Sequence, residues 1–353
     1  MMKNSNSSVL FAFQARLKSL IIQVVLIFIG LFSLLILTRG YPSSFLIAVY
    51  VIAGILFIAW DEYRRNRAFQ SNNQLTEEPV NECQPSALLD RNAQLTLLHQ
   101  GANEWNAWRQ VSSQEICLKG ENLRGSKLSG FDFQEGNLRQ INLRGADLSY
   151  ANFRYADLRE SRLSNASFFN ANLSEANFNE ANLSEANFNE ANLSEANFSQ
   201  ATLTSASFYQ AHLVSANFRR ANLGEVDFSM ANLSEVNFHG ADLSGANFTG
   251  ASIDGANLLS ADLTNSIFHE ANLDGANFYR ADLCGASLYN AVLRNANLRG
   301  ADLREIELDG AIVENAIFGD NRGLTEEDKI DLKKRGAILQ DAFGSNVVNA
   351  IIN

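Results

Sequence analysis

Large apolar residues recur at every fifth position through more than half of the chain. From Ile116 to Asp320 the sequence divides into 41 consecutive five-residue units without an insertion or deletion. The clearest stretch, residues 171–200, reads ANLSE ANFNE ANLSE ANFNE ANLSE ANFSQ. The centre of each unit falls on a number ending in 3 or 8, and it is Leu, Phe, Ile or Val in all 41 units. A period of five fits neither an α-helix at 3.6 residues per turn nor an extended strand at 2. It fits a coil with four equal sides of five residues, in which every twentieth residue returns to the same place. The centre then points inward, the Ala two before it points inward and is kept small, and the other three positions point out. Coils stacked at the β spacing of about 4.8 Å make a rod roughly 50 Å long.

From Phe168 to Phe248 the centres alternate strictly between Phe and Leu. On a 20-residue circuit, Phe168, Phe188, Phe208, Phe228, Phe248 and Phe268 share one wall, and Phe178, Phe198, Phe218 and Phe238 share the opposite one. The stacked rings fill the interior and leave no cavity for a substrate. The A(D/N)(L/F)XX pattern of residues 116–320 resembles that of the pentapeptide-repeat family. The resemblance implies an all-β solenoid, a right-handed quadrilateral parallel β-helix. The preceding WNAWRQ segment and the following GLTEEDKIDLKKRGAI segment also resemble flanks seen beside such repeats, particularly in cyanobacterial proteins.

The first 67 residues follow a different pattern. Residues 19–37 and 43–60 are two uncharged apolar stretches joined by a short turn-like segment containing Pro42. A helix needs about 20 apolar residues to cross the hydrocarbon core, so the pair predicts an N-terminal two-helix transmembrane hairpin. Arg16, Lys18, Arg64, Arg65 and Arg67 flank it, against only Arg39 in the hairpin loop. The positive-inside rule places both termini and the solenoid in the cytoplasm of a two-span membrane protein. Residues 68–86 are polar and read as a linker. Residues 87–115 place Leu95, Leu98, Ala102, Trp105 and Trp108 on one helical face, a helical N-terminal cap for the open solenoid end. In residues 321–353, Thr325 and Asp328 have capping-box spacing ahead of a short helix, which predicts a C-terminal helical cap and tail.

Charge adds a gradient. The chain carries a formal net charge of −11. Residues 116–165 hold eight basic and six acidic residues, and residues 166–320 hold six basic and twenty acidic. Such acidity argues against direct nucleic-acid binding, which relies on basic surface. Residues twenty apart are neighbours, so Lys119, Arg139 and Arg159 form one basic column and Arg124 and Arg144 another. These five are candidate contacts for anionic lipid headgroups.

No catalytic, cofactor-binding or metal-binding residues are expected. His99, His212, His239 and His269 do not cluster, and the sequence has no phosphate loop, nucleophile elbow or HExxH motif. Cys83, Cys117 and Cys284 have no metal-ligand spacing and read as three free thiols. The expected function is a non-catalytic, membrane-tethered scaffold for a protein partner, with no cofactor. Two other readings are weighed. One is an acidic DNA mimic that inhibits a DNA-binding enzyme such as gyrase, which the family resemblance implies for some members. The other is an accessory subunit of a membrane transport or assembly system.

Overall fold

The computed structural model describes residues 91–340. Helices α1 (Arg91–Gln100) and α2 (Ala102–Val111) lead into the repeats. Beyond the repeats come strand β1 (Ile317–Phe318), helix α3 (Glu326–Lys334) and strand β2 (Ile338–Leu339). Between them the chain is a right-handed quadrilateral β-helix. Parallel bridges join each second residue of a unit to the residue twenty positions on, from Cys117–Asn137 to Asp302–Arg322. The four walls are named by their order in the chain: residues 116–120, 121–125, 126–130 and 131–135 begin the first to the fourth.

Each five-residue unit satisfies its own backbone. The N–H of the second residue donates to the coil before, as Asn187 does to the Ala166 carbonyl at 2.9 Å. Those of the third and fifth donate to the coil after, as Phe168 does to Asn187 at 2.7 Å and Glu175 to Ser194 at 2.9 Å. The first N–H of the next unit closes a turn onto the centre carbonyl, as Ala171 does to Phe168 at 3.0 Å. In many units the fourth N–H is held by a side chain, as Asn189 N–H donates to Asn187 Oδ1 at 2.9 Å. Buried backbone groups left unpaired would be costly, and this repeat of bonds leaves few.

The corner sets the wall direction. In all 41 units the fifth residue has positive φ, between 53° and 73°. A turn whose third residue has φ above zero is of type II kind. Twelve of these residues are Gly and 29 are not. An L-residue pays about 1–2 kcal/mol to sit there.

The core is the pair of columns expected from the centres. Phe168 and Phe188 stack at 4.8 Å with planes 2° apart, and Phe178 and Phe198 stack at 4.8 Å and 1°. Across the axis, Phe168 and Phe178 meet edge to face at 6.0 Å. Stacking follows the coil spacing, and the edge-to-face crossing suits the ring quadrupoles. Ser161 and Ser266 occupy the small first slot and are buried, each hydroxyl donating to a turn carbonyl, those of Leu158 and Leu263.

Both solenoid ends have their open edges answered by side chains. Gln94, buried on α1, donates Nε2 to the Glu115 carbonyl and accepts the Cys117 N–H at 3.0 Å. Asn106 on α2 accepts the Asp132 N–H and donates to the Gly130 carbonyl, both at 2.9 Å. Trp105 is fully buried against Phe131 and Phe133, and its Nε1 donates to the Asp132 carbonyl at 2.7 Å. These two amides replace the missing preceding coil at two of its rungs. At the far end β2 pairs in parallel with β1, and Arg335 donates to the Leu308 and Ala311 carbonyls. The start of α3 has a full capping box between Thr325 and Asp328. Hydrogen bonds from Thr325 hold the Asp328 carboxyl below its ordinary range.

Two expectations are corrected. No helix among the described residues is long and apolar enough to cross a membrane. The ten-residue α1 and α2 reach only about 15 Å, half the hydrocarbon thickness. This overturns the multi-pass membrane localisation with cytoplasmic termini and solenoid. The hairpin spans at 19–37 and 43–60 and the linker at 68–86 lie outside the described residues. Cys117 is disulfide-bonded rather than a free thiol, and Cys284 is free.

Three outcomes are expected. Phe198→Ala removes a ring stacked on Phe178 and Phe218 and lowers stability by about 3–5 kcal/mol in urea unfolding; a loss under about 1 kcal/mol would contradict the packed columns. At Glu185, φ 59°, the thermal midpoints should rank Gly at or above Glu and Val lowest, because a β-branched residue fits the left-handed corner worst. The Asp328 carboxylate stabilises α3 above its unfolded pKa of about 3.9, and that stability is lost as pH falls through its lower folded pKa. Hydrogen-exchange protection at α3, taken relative to the intrinsic rate at each pH, should therefore fall in that acid window in the wild type, and Asp328→Asn should flatten the dependence.

Candidate interaction surface

With the interior filled, the polar chemistry of the repeats lies on the outer walls. Its first layer is structural. In many units the second residue, an Asn or Asp, turns its side-chain oxygen back onto the N–H two residues on, an Asx turn. On the first wall these amides also form a ladder. Asn197 donates Nδ2 to Asn177 Oδ1 at 3.2 Å, Asn217 to Asn197 at 3.1 Å, Asn237 to Asn217 at 3.3 Å and Asn257 to Asn237 at 3.2 Å. On the second wall Asp242, Asp262, Asp282 and Asp302 stack in consecutive coils, and each accepts a backbone N–H at 3.0–3.3 Å. These carboxylates hold corners, and Arg304 beside Asp302 keeps that carboxyl below its ordinary range.

The expected basic columns are partly neutralised. Arg139 pairs with Glu160 at 2.7 Å and Arg159 with Asp157 at 2.6 Å. Hydrogen bonds from Gln140 and Arg139 hold the Glu160 carboxyl below its usual value. Nearby, Arg154 lies over the Tyr155 ring at 4.6 Å, and a hydrogen bond to Glu175 raises the Tyr155 hydroxyl. Lys119, Arg124 and Arg144 have no ion pair among the described residues. The five residues read as lipid contacts are therefore spread over two walls, with Arg139 and Arg159 already engaged by carboxylates.

Sorted by wall, the charges show a polarity across the rod. Over residues 116–320 the first wall carries seven basic and four acidic residues, and the third carries one basic and six acidic. The second carries four and eight, and the fourth two and eight. The first wall alone is basic. Exposed aromatic and apolar side chains gather on the third wall, where Tyr150, Tyr209, Met230, Ile267 and Tyr289 are all exposed. Sorting the sequence by its 20-residue circuit would have revealed this, since every residue involved is fixed by its number alone.

The histidines lie apart among the described residues. His99 sits on α1, His212 on the fourth wall, His239 on the first and His269 on the third. Among the described residues no group of three or more His, Cys, Asp or Glu side chains could hold a metal ion. Two open surface grooves lie among the described residues, one at Arg144, Ser161, Arg162 and Asn182, the other at Asn172, His212, Gln210 and Met230.

The model for pentapeptide repeats in eight copies matches residues 126–165, 241–278 and 276–315, and that for the pentapeptide repeat region matches 181–258. No curated protein matches the chain. Among solved structures it is similar to HetL, a pentapeptide repeat protein involved in heterocyst differentiation regulation from the cyanobacterium Nostoc sp. strain PCC 7120. Identity is 34%, covering 61% of this chain and 96% of HetL, with a TM-score of 0.58. A pentapeptide repeat protein of the Arabidopsis thaliana thylakoid lumen is 30% identical, covering 38% of this chain and 91% of its own, with a TM-score of 0.23. The unbroken five-residue units, the 20-residue bridges and the match to nearly all of HetL lead to one conclusion: the chain belongs to the pentapeptide-repeat family.

Proposed function

We propose that the chain is a non-catalytic scaffold that works by presenting its outer walls to protein partners. One observation carries this reading: Phe, Leu and Ala fill the interior, and the polar groups of the solenoid face outward. An enzyme site needs a concave pocket that gathers a few polar groups, whereas a straight wall offers regular spacing over a long surface. The involvement of HetL in heterocyst differentiation regulation supports a regulatory rather than a chemical role. The acidic DNA-mimic reading has less support. Negative charge does not encircle the rod as it does a duplex, because the first wall is basic.

The test is quantitative affinity capture from the source cell with the full chain and four variants, each reversing the exposed charges of one wall. A partner lost from one wall variant, with an unchanged thermal midpoint, is the expected result. Partners retained equally by all four variants would contradict the reading.

A further inference from the structure

The first and third walls are opposite faces of the solenoid, since Phe178 of one and Phe168 of the other meet across the axis. Between residues 196 and 300 the first wall carries Arg219, Arg220, Arg280 and Arg299 and no carboxylate. None of the four has an ion pair among the described residues, and Arg299 Nε is enclosed without a hydrogen bond. One coil above Arg220 and Arg280 stand Gly240 and Gly300. The arginine Cγ atoms lie 3.8 and 3.4 Å from where a Cβ would be added there. The two glycines thus leave room for the arginine stems to lie along the wall with their guanidinium groups outward.

The third wall is the reverse. From residue 146 to 310 it has no Lys or Arg and carries Asp147, Glu190, Asp227, Glu270, Glu307 and Asp309. None of these is in an ion pair among the described residues. Exposed Tyr209, Met230 and Tyr289 lie between them. The spacings also agree. Arg219 and Arg299 are four coils apart, as are Glu190 and Glu270, and Asp227 and Glu307. Four coils correspond to about 19 Å. Two copies of one chain share the same backbone ruler, so one axial shift sets Arg219 and Arg299 opposite Glu190 and Glu270 together.

We propose that the chain associates side by side with a second copy of itself, the basic first wall of one copy on the acidic, aromatic third wall of the next. The contact is heterologous: each added copy leaves one wall of each kind free, so rods align in rows. Single surface ion pairs contribute little, so the contact needs several along the wall together with burial of the tyrosines and Met230. A broad polyanion such as a duplex suits the first wall less well, because the second and fourth walls beside it are both acidic. A third wall from another copy is as narrow as the first.

The experiment is sedimentation velocity on the purified full chain at about 0.05 M and about 0.5 M salt, where screening differs strongly. Wild type should form concentration-dependent assemblies at low salt that dissociate at high salt. Arg219→Glu with Arg299→Glu should weaken self-association about tenfold or more, as should Glu190→Arg with Glu270→Arg. Glu and Arg occupy the same slots elsewhere in the repeats, as Glu314, Arg220 and Arg280 do, so both variants should melt as the wild type does. Mixing the two variants places reversed walls opposite each other and should restore assembly. A wild type that stays monomeric at low salt would overturn the proposal. So would variants that assemble like the wild type, or a mixture no more associated than its parts.

Discussion

The structure depends on one backbone constraint: the fifth residue of every unit must adopt the left-handed conformation. That corner turns the chain from one wall to the next, and with a wall of fixed length it makes the circuit twenty residues. Everything else follows from the circuit. Centres stack on centres, so Phe168 to Phe268 build one ring column and Phe178 to Phe238 the other. The 29 corners that are not glycine are held by what surrounds them. Most have their N–H bonded to the following coil, as Glu175 has to Ser194, and all have a buried centre on the same wall; in many, such as Glu190, the preceding N–H is held by an Asx side chain. Strain at one corner is carried by bonds to neighbouring coils, which makes the solenoid cooperative over short range and nearly uniform along its length.

Much of this was legible in the sequence because one period controls every level of the fold. The centres at positions ending in 3 and 8 gave the core, and the Phe–Leu alternation gave the two ring columns that stack at 4.8 Å. The Thr325–Asp328 spacing gave the capping box. Less legible were roles that rest on geometry rather than hydropathy. The Asn and Asp of the second slot look like ordinary surface residues, yet they hold the fourth N–H of their units. Gln94 and Asn106 carry no motif, and only the fold shows them standing in for an absent coil. The disulfide at Cys117 could not be read from three scattered cysteines. The membrane reading came from apolar segments outside the described residues, and the helices that are described are too short to span.

The candidate surface shows a similar division. Summed along the chain, the charges gave a gradient from end to end. Summed around the 20-residue circuit, the same residues show a basic first wall opposite an acidic third wall. Ion pairing sharpens the difference: Arg139 and Arg159 are engaged, while Arg219, Arg220, Arg280 and Arg299 on the first wall have no ion pair among the described residues. The proposed scaffold role draws on the filled core and the four straight walls. The regular spacing of the walls is the property a partner would read.

The central claim is that a 20-residue circuit fixes the walls, and paired deletions test it most directly. Removing residues 181–200 takes out one whole coil and leaves every later residue on its own wall. Removing residues 181–185 rotates all later walls by one quarter and sets Phe centres above Leu. Thermal unfolding of the two deletion variants should give a midpoint close to wild type for the first and a clearly lower one for the second. Equal midpoints, or a greater loss on removing the whole coil, would contradict the account.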